Sequence, residues 1–169
     1  MDPYKFKYCP FCGRALQTRS IEGKARNYCP DCGYVHYVNP LPIVAIVIEE
    51  KGKILIVKRA IEPQKGKWVL PGGFVDDDET PERAALRELK EETDLQGHKP
   101  DFITMVSNKS ELYGPILMMG FYVSDWKGIP KAGDDALEVR FEKINDPARI
   151  AFHTHRIILK EFWRDKKKN

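Results

Sequence analysis

The sequence predicts an α/β protein: a three-layer α/β/α sandwich on a mixed sheet, with a small cysteine-tied module ahead of it. Three observations predict this. Short apolar and β-branched runs recur at 43–50, 54–58, 102–107, 115–124 and 136–142. Two stretches, 80–93 and 154–166, carry apolar residues at helical spacing and would cover the sheet's faces. Two Cys-x-x-Cys pairs stand before the first of the strands.

Length and composition set the bounds. The 169 residues leave room for one ordinary domain and a small module. Hydrophobic residues at 42% and charged residues at 31% describe a soluble globular chain. A net charge of +3 is too small to argue for nucleic acid, which is not expected as a partner. No apolar run follows the first charges, and the longest apolar run, 43–48, falls far short of a bilayer span. A cytoplasmic protein with no membrane contact is expected. The basic end, 164–168, reads as a solvated helix terminus.

Residues 1–38 form the module and 39–169 the main domain. Cys9-Pro-Phe-Cys12-Gly13 is echoed by Cys29-Pro-Asp-Cys32-Gly33, with 16 residues between the pairs. This is tetrathiolate spacing, and four thiolates with no open position make a closed structural zinc site. The lack of an export signal argues against disulfides. All four cysteines are used here, so none is left as a nucleophile. Arg14, Arg19, Lys24 and Arg26 lie near Tyr28, Tyr34 and Tyr37, a composition that can meet nucleic acid. Glu22 and Asp31 dilute the charge, so aromatic packing on the main domain or a second subunit is expected instead.

After a stiff Pro-containing join, strands 43–50 and 54–58 read as a hairpin about Lys51-Gly52-Lys53. A polar loop, 62–67, leads to Trp68-Val-Leu-Pro-Gly72-Gly73-Phe74-Val75, whose paired glycines let backbone groups approach metal or phosphate. Thr80 caps the next helix, with Pro81 at its first position and Glu82 favourable to its dipole; it runs to about Thr93. At about 100° per residue, Glu91 and Glu92 lie roughly 60° and 40° to either side of Glu88, making one acidic stripe. Leu86 and Leu89, with Ala85, point elsewhere and pack inward. Glu88 and Glu92 repel at i,i+4, and Arg87 relieves only Glu91. A hard cation, Mg²⁺ or Mn²⁺, suits such a stripe, and a solvated acidic helix face is the other reading that the stripe alone allows. Further on, 125–135 reads as a loop, 146–151 as a short helix, and His153 and His155 as surface or capping residues.

From Gly73 to Leu95 the chain follows Gly-x5-Glu-x7-Arg-Glu-apolar-x-Glu-Glu-x-Gly-apolar in all but one position. It thereby resembles the Nudix hydrolases. The departure is Asp94 in place of Gly, at a position after the helix that calls for a left-handed backbone. The resemblance implies hydrolysis of a nucleoside diphosphate linked to another group, with water attacking phosphorus and divalent ions neutralising phosphate oxygens. It implies Glu88, Glu91 and Glu92 as the magnesium set, joined by the Gly72 carbonyl, with Glu88 or Glu92 as general base. Arg87 would orient the carboxylates, and Glu79 would buttress Arg87. Glu138 is a later carboxylate, a ligand or base by resemblance and an exposed strand residue otherwise. A homodimer is expected on the same ground.

The Ser-Gln-Pro-Trp-Pro-Phe-Pro signature of zinc-ribbon NADH diphosphatases is absent, since 107–115 reads Ser-Asn-Lys-Ser-Glu-Leu-Tyr-Gly-Pro. The chain is more similar to compact zinc-ribbon Nudix proteins acting on FAD and ADP-ribose. It shares with them Tyr37-Val-Asn-Pro40, Gly66-Lys-Trp-Val-Leu-Pro71 and Leu137-Glu-Val-Arg-Phe141. The expected substrate is thus ADP-ribose, FAD, NADH or a related dinucleotide, cleaved to AMP and the other monophosphate. Two rivals are a nucleoside triphosphate pyrophosphatase and a non-catalytic nucleotide sensor that binds nucleic acid through the ribbon.

Overall fold

The computed structural model describes residues 6–168. In chain order the elements are β1 (Gln17–Ile21), β2 (Lys24–Tyr28), β3 (Val35–His36), β4 (Leu41–Val47), β5 (Glu49–Glu50), β6 (Lys53–Arg59) and β7 (Trp68–Val69). There follow α1 (Pro81–Thr93), β8 (Gln96–His98), β9 (Asp101–Ser110), β10 (Gly114–Tyr122), β11 (Asp125–Lys127), β12 (Ala136–Glu142) and α2 (His153–Lys166). The chain divides into two compact units, Met1–Pro40 with Lys109–Pro115, and Leu41–Asn108 with Ile116–Asn169.

In the smaller unit β1, β2 and β3 make an antiparallel sheet in that order. The β1–β2 turn is Glu22-Gly23, both at positive φ (53° and 73°), the backbone that a tight two-residue hairpin requires.

In the larger unit β4 pairs in parallel with β10, whose other neighbour is β9. Strand β6 pairs antiparallel with β12, β5 and β7. Helix α1 is capped by Thr80, whose hydroxyl accepts from the Arg83 amide, and Pro81 sits in its first turn. The side chains of β4 alternate between two cores. Val44 and Ile46 join Ala84, Ala85 and Leu89 of α1. Ala45 and Val47 join Ile158, Leu159 and Phe162 of α2. A strand buried on both faces between two helices is the middle layer of an α/β/α sandwich.

Several details differ from the sequence expectation. The run 43–50 is not one hairpin strand: it divides at Ile48, with β4 in one sheet and β5 in another. Ile48 stays buried, and its carbonyl accepts from Leu55 at 3.0 Å where the chain changes sheets. Residues 125–127, expected as loop, form β11 against β8. The helix expected at 146–151 is a single 3-10 turn, Pro147–Arg149, capped by the Asp146 carboxylate. No described helix is long and apolar enough to cross a membrane.

Candidate metal and catalytic site

The four cysteines converge. Their Sγ atoms all lie within 4.8 Å of one another, with Cys9–Cys32 and Cys12–Cys29 each at 3.5 Å and Cys12–Cys32 at 3.6 Å. A zinc tetrahedron with bonds of about 2.3 Å sets sulfurs about 3.8 Å apart, so the set fits zinc. Each pair wraps its knuckle in the same way: Gly13 N–H donates to the Cys9 carbonyl at 2.9 Å and Gly33 N–H to Cys29 at 3.0 Å.

The second site is built where β4, the 71–75 segment and α1 meet. Val44 N–H donates to the Gly73 carbonyl and Ile46 N–H to Pro71, both at 2.8 Å, so the glycine bend lies along the free edge of β4. Gly72 has φ +149°, and a Cβ there would run into the Val44 carbonyl. A Cβ on Gly73 would run into the Glu88 carboxylate. The two glycines are what let the helix carboxylates reach the bend.

On α1 and in the turn before it the carboxylates fall into two environments. Arg87 forks among three of them: to Glu79 at 2.6 Å, Glu88 at 2.8 Å and Glu91 at 2.9 Å. It also donates to the Phe74 carbonyl at 2.9 Å, which ties the bend to the helix. The Glu79 bond to Arg87 holds that carboxyl below its usual range. Glu79 is also anchored by the Asp76 amide at 3.1 Å. Glu92 stands apart, buried, with Oε2 accepting from Gly72 N–H at 3.0 Å. Burial pushes its carboxyl up to about 8; the Gly72 bond opposes this, and the charges of Glu88 and Asp135 add to it. Burial also raises Glu88, against the pull of Arg87.

The sequence-predicted residues are thus distributed as follows. Arg87, Glu79, Glu88 and Glu91 form one ion-paired cluster. Glu92 and Gly72 are hydrogen-bonded to each other. Among the described residues the cysteines alone bring every donor atom to one point; the glutamate oxygens face Arg87 and the Gly72 amide. Their chemistry nevertheless suits a hard divalent cation: burial disfavours the charged form of two carboxyls one turn apart, and a cation bound between them would restore it. Glu138 sits on β12, half-exposed, with Arg140 at 3.1 Å and Lys58 at 4.0 Å as its ion-pair partners.

One residue near the site departs from its sequence reading. His155 is neither a surface nor a capping residue. It is 4% exposed and its Nδ1 accepts from Leu70 N–H at 3.1 Å, which supports the strand leading into the bend. Burial, with the Arg59 charge, pushes its pKa down to about 3, so it is a neutral acceptor. Asp135, whose charge acts on Glu92, is not among the sequence candidates. The loop that carries it docks on the end of α1, with Gly133 N–H donating to the Glu92 carbonyl at 3.2 Å and Lys131 N–H to Thr93 at 2.9 Å. A Gly-containing loop after a strand gave no periodic signal that could have shown this docking.

An acidic helix turn with Glu92 buried, set against a glycine bend inside an α/β/α sandwich, is the arrangement of a hydrolase of the Nudix class. Residues 39–162 match the NUDIX domain family and residues 7–38 match the family described as Nudix N-terminal, a zinc ribbon, so the chain belongs to the Nudix hydrolases. It is 38% identical, over 78% of both chains, to a protein of Methanocaldococcus jannaschii named ADP-ribose pyrophosphatase. It is 29% identical to a Stutzerimonas stutzeri protein named NAD-capped RNA hydrolase NudC, over 69% of this chain and 40% of that one. A crystal structure of a NUDIX hydrolase from Nitrosomonas europaea superposes with a TM-score of 0.79 at 30% identity, covering 97% of this chain and 94% of that one.

Proposed function

We propose that the protein hydrolyses the diphosphate of ADP-ribose, or a closely similar ADP conjugate such as FAD or NADH, to AMP and the second monophosphate. The observation that carries this reading is the pairing of two desolvated glutamates, Glu88 and Glu92, with a bend that has no side chain at Gly72 and Gly73. A diphosphate can approach backbone there, and a cation held by the ionised carboxylates would neutralise both partners. The similarity to the archaeal ADP-ribose pyrophosphatase, spread over most of both chains, supports this substrate class.

In this reading Glu88, Glu91 and Glu92, with the Gly72 carbonyl, hold Mg²⁺. That ion supplies charge neutralisation of the phosphate oxygens and a lower pKa for water. Arg87 keeps Glu88 and Glu91 aimed by its fork, and Glu79 fixes the far side of the guanidinium. Glu92 is held by the Gly72 amide and cannot turn away from the bend. One of Glu88 and Glu92 takes the proton of the attacking water. Asp135 and Glu138 are the two candidates for a further carboxylate, and Asp135 is the better placed because its charge reaches Glu92. The protein works as a homodimer in a reducing compartment, the cytoplasm, where its four free thiols suit zinc.

The test is a panel of ADP-ribose, FAD, NADH and nucleoside triphosphates with pure protein and Mg²⁺, read as AMP released. Release from ADP-ribose or a related dinucleotide, lost on Glu92→Gln, supports the reading. Cleavage of triphosphates alone would overturn it.

A further inference from the structure

We propose that the three-stranded sheet of the smaller unit binds single-stranded nucleic acid, on a platform made of Arg19, Arg26, Tyr28 and Tyr37. The inference is independent of diphosphate hydrolysis. It begins with where the charge lies. Residues 1–40 carry six Lys and Arg against three Asp and Glu, and residues 41–169 carry 22 of each, so the whole net charge of +3 sits in the first forty residues. A loaded tetrathiolate zinc site offsets about two of these three charges, so what favours an anion is the local placement of Arg19 and Arg26 on one sheet face rather than the module's net charge.

The strand register then creates an electrostatic cost. Arg19 lies directly across from Arg26 on β1 and β2. Like charges opposite one another on a ladder are destabilising. Glu22 approaches Arg26 to 3.5 Å, and the Arg26 Nε, a buried side-chain nitrogen, has no partner among the described residues. An anion at the exposed ends of the two guanidiniums would relieve the repulsion.

Aromatic faces lie with these cations. The Arg26 guanidinium is 4.4 Å from the Tyr37 ring centroid and that of Arg19 is 5.9 Å from Tyr28. Tyr37 is 46% exposed, and Tyr8 and Phe11 of the same unit are exposed at 64% and 79%. Free phosphate would satisfy the arginines and leave the rings unused. A single strand offers both a phosphate backbone and unpaired bases with π faces, whereas a duplex keeps its bases stacked inside.

The experiment measures anisotropy of a labelled oligouridine of about 12 nucleotides with zinc-loaded, full-length protein, across salt from about 50 to 200 mM. Binding is expected with a log–log salt slope of about −0.7 per phosphate contacted. Arg19→Gln should flatten the slope by about one such increment, with folding intact because Arg19 is exposed. Tyr37→Leu should weaken binding roughly 5-fold or more, and Tyr37→Phe should restore it. Cleavage of nucleotide substrates by all three variants should equal that of the parent. No binding at about 50 mM salt would overturn the proposal. So would binding indifferent to Arg19→Gln and Tyr37→Leu, or equal binding of a duplex or of anionic vesicles, which would mean non-specific charge attraction.

Discussion

Glu92 accepts the backbone N–H of Gly72 at 3.0 Å while its carboxyl is held mostly protonated near neutral pH, at about 8. Its folded pKa is raised, so the group adds stability below its unfolded value, near 4.5, and that contribution is lost as pH rises through about 8. Metal-free protein should lose up to about 1.4 kcal/mol per pH unit from this source across that window. Glu92→Gln keeps an acceptor for Gly72 and removes the titration. Its melting temperature at pH 8, without metal, should equal or exceed the parent's, and it should no longer rise on adding Mg²⁺. Its turnover should fall by roughly two orders of magnitude. Thermal melts and AMP release measure these.

His155 acts in the opposite direction. Its pKa is depressed to about 3 by burial, so its contribution is present above about 6.5 and is lost as pH falls from there toward 3. His155→Ala leaves the Leu70 N–H unpaired and opens a cavity. It should cost about 2–4 kcal/mol at pH 7 and less at pH 5. Denaturant titration at the two pH values checks the sign; an equal cost at both would exclude the buried neutral imidazole.

Arg87 has four carboxylate partners, Asp76, Glu79, Glu88 and Glu91, so Lys at 87 cannot replace it: one ammonium does not reproduce a planar fork. Arg87→Lys should reduce kcat by about 10-fold or more with KM little changed. Because Glu79 acts through Arg87, Glu79→Gln combined with Arg87→Lys should cost less than the sum of the two changes. Steady-state kinetics of the cycle give the coupling directly.

The two glycines should fail differently. Gly72→Ala forces a Cβ into the Val44 backbone at a strained φ, so it should destabilise the fold by about 2 kcal/mol or more. Gly73→Ala meets the end of the Glu88 side chain, which can turn aside. Its melting temperature should be near the parent's while its activity is largely lost.

Asp135→Asn should lower turnover and move the pH profile, since its charge acts on Glu92. Glu138→Gln should do less, because Arg140 and Lys58 already face that carboxylate. A larger defect in Glu138→Gln would return the later carboxylate to β12.

The helix was the most legible element. Thr80, Pro81 and the apolar set around Leu89 determine its start, extent and buried side, and Asp94 adopts φ 60° where the left-handed residue was expected. Asp94 is helped by Lys90, which bonds both its carboxylate and its carbonyl. The cysteine convergence was legible for the same reason: knuckle geometry is local. What sequence could not show depends on distant partners. The run at 43–50 is apolar throughout, so its periodicity could not reveal that it divides between two sheets at Ile48. His155 looks like a polar residue at a helix start until Leu70, 85 positions away, supplies its hydrogen bond. The loop carrying Asp135 finds its place only through backbone bonds to the end of α1.

Strand β4 has a second use beyond dividing the two cores. Its Val44 and Ile46 amides are the hydrogen-bond donors that pin the glycine bend. Any opening of that bend must release them, so their hydrogen-exchange rates would serve as built-in gauges of active-site breathing, readable without substrate or label.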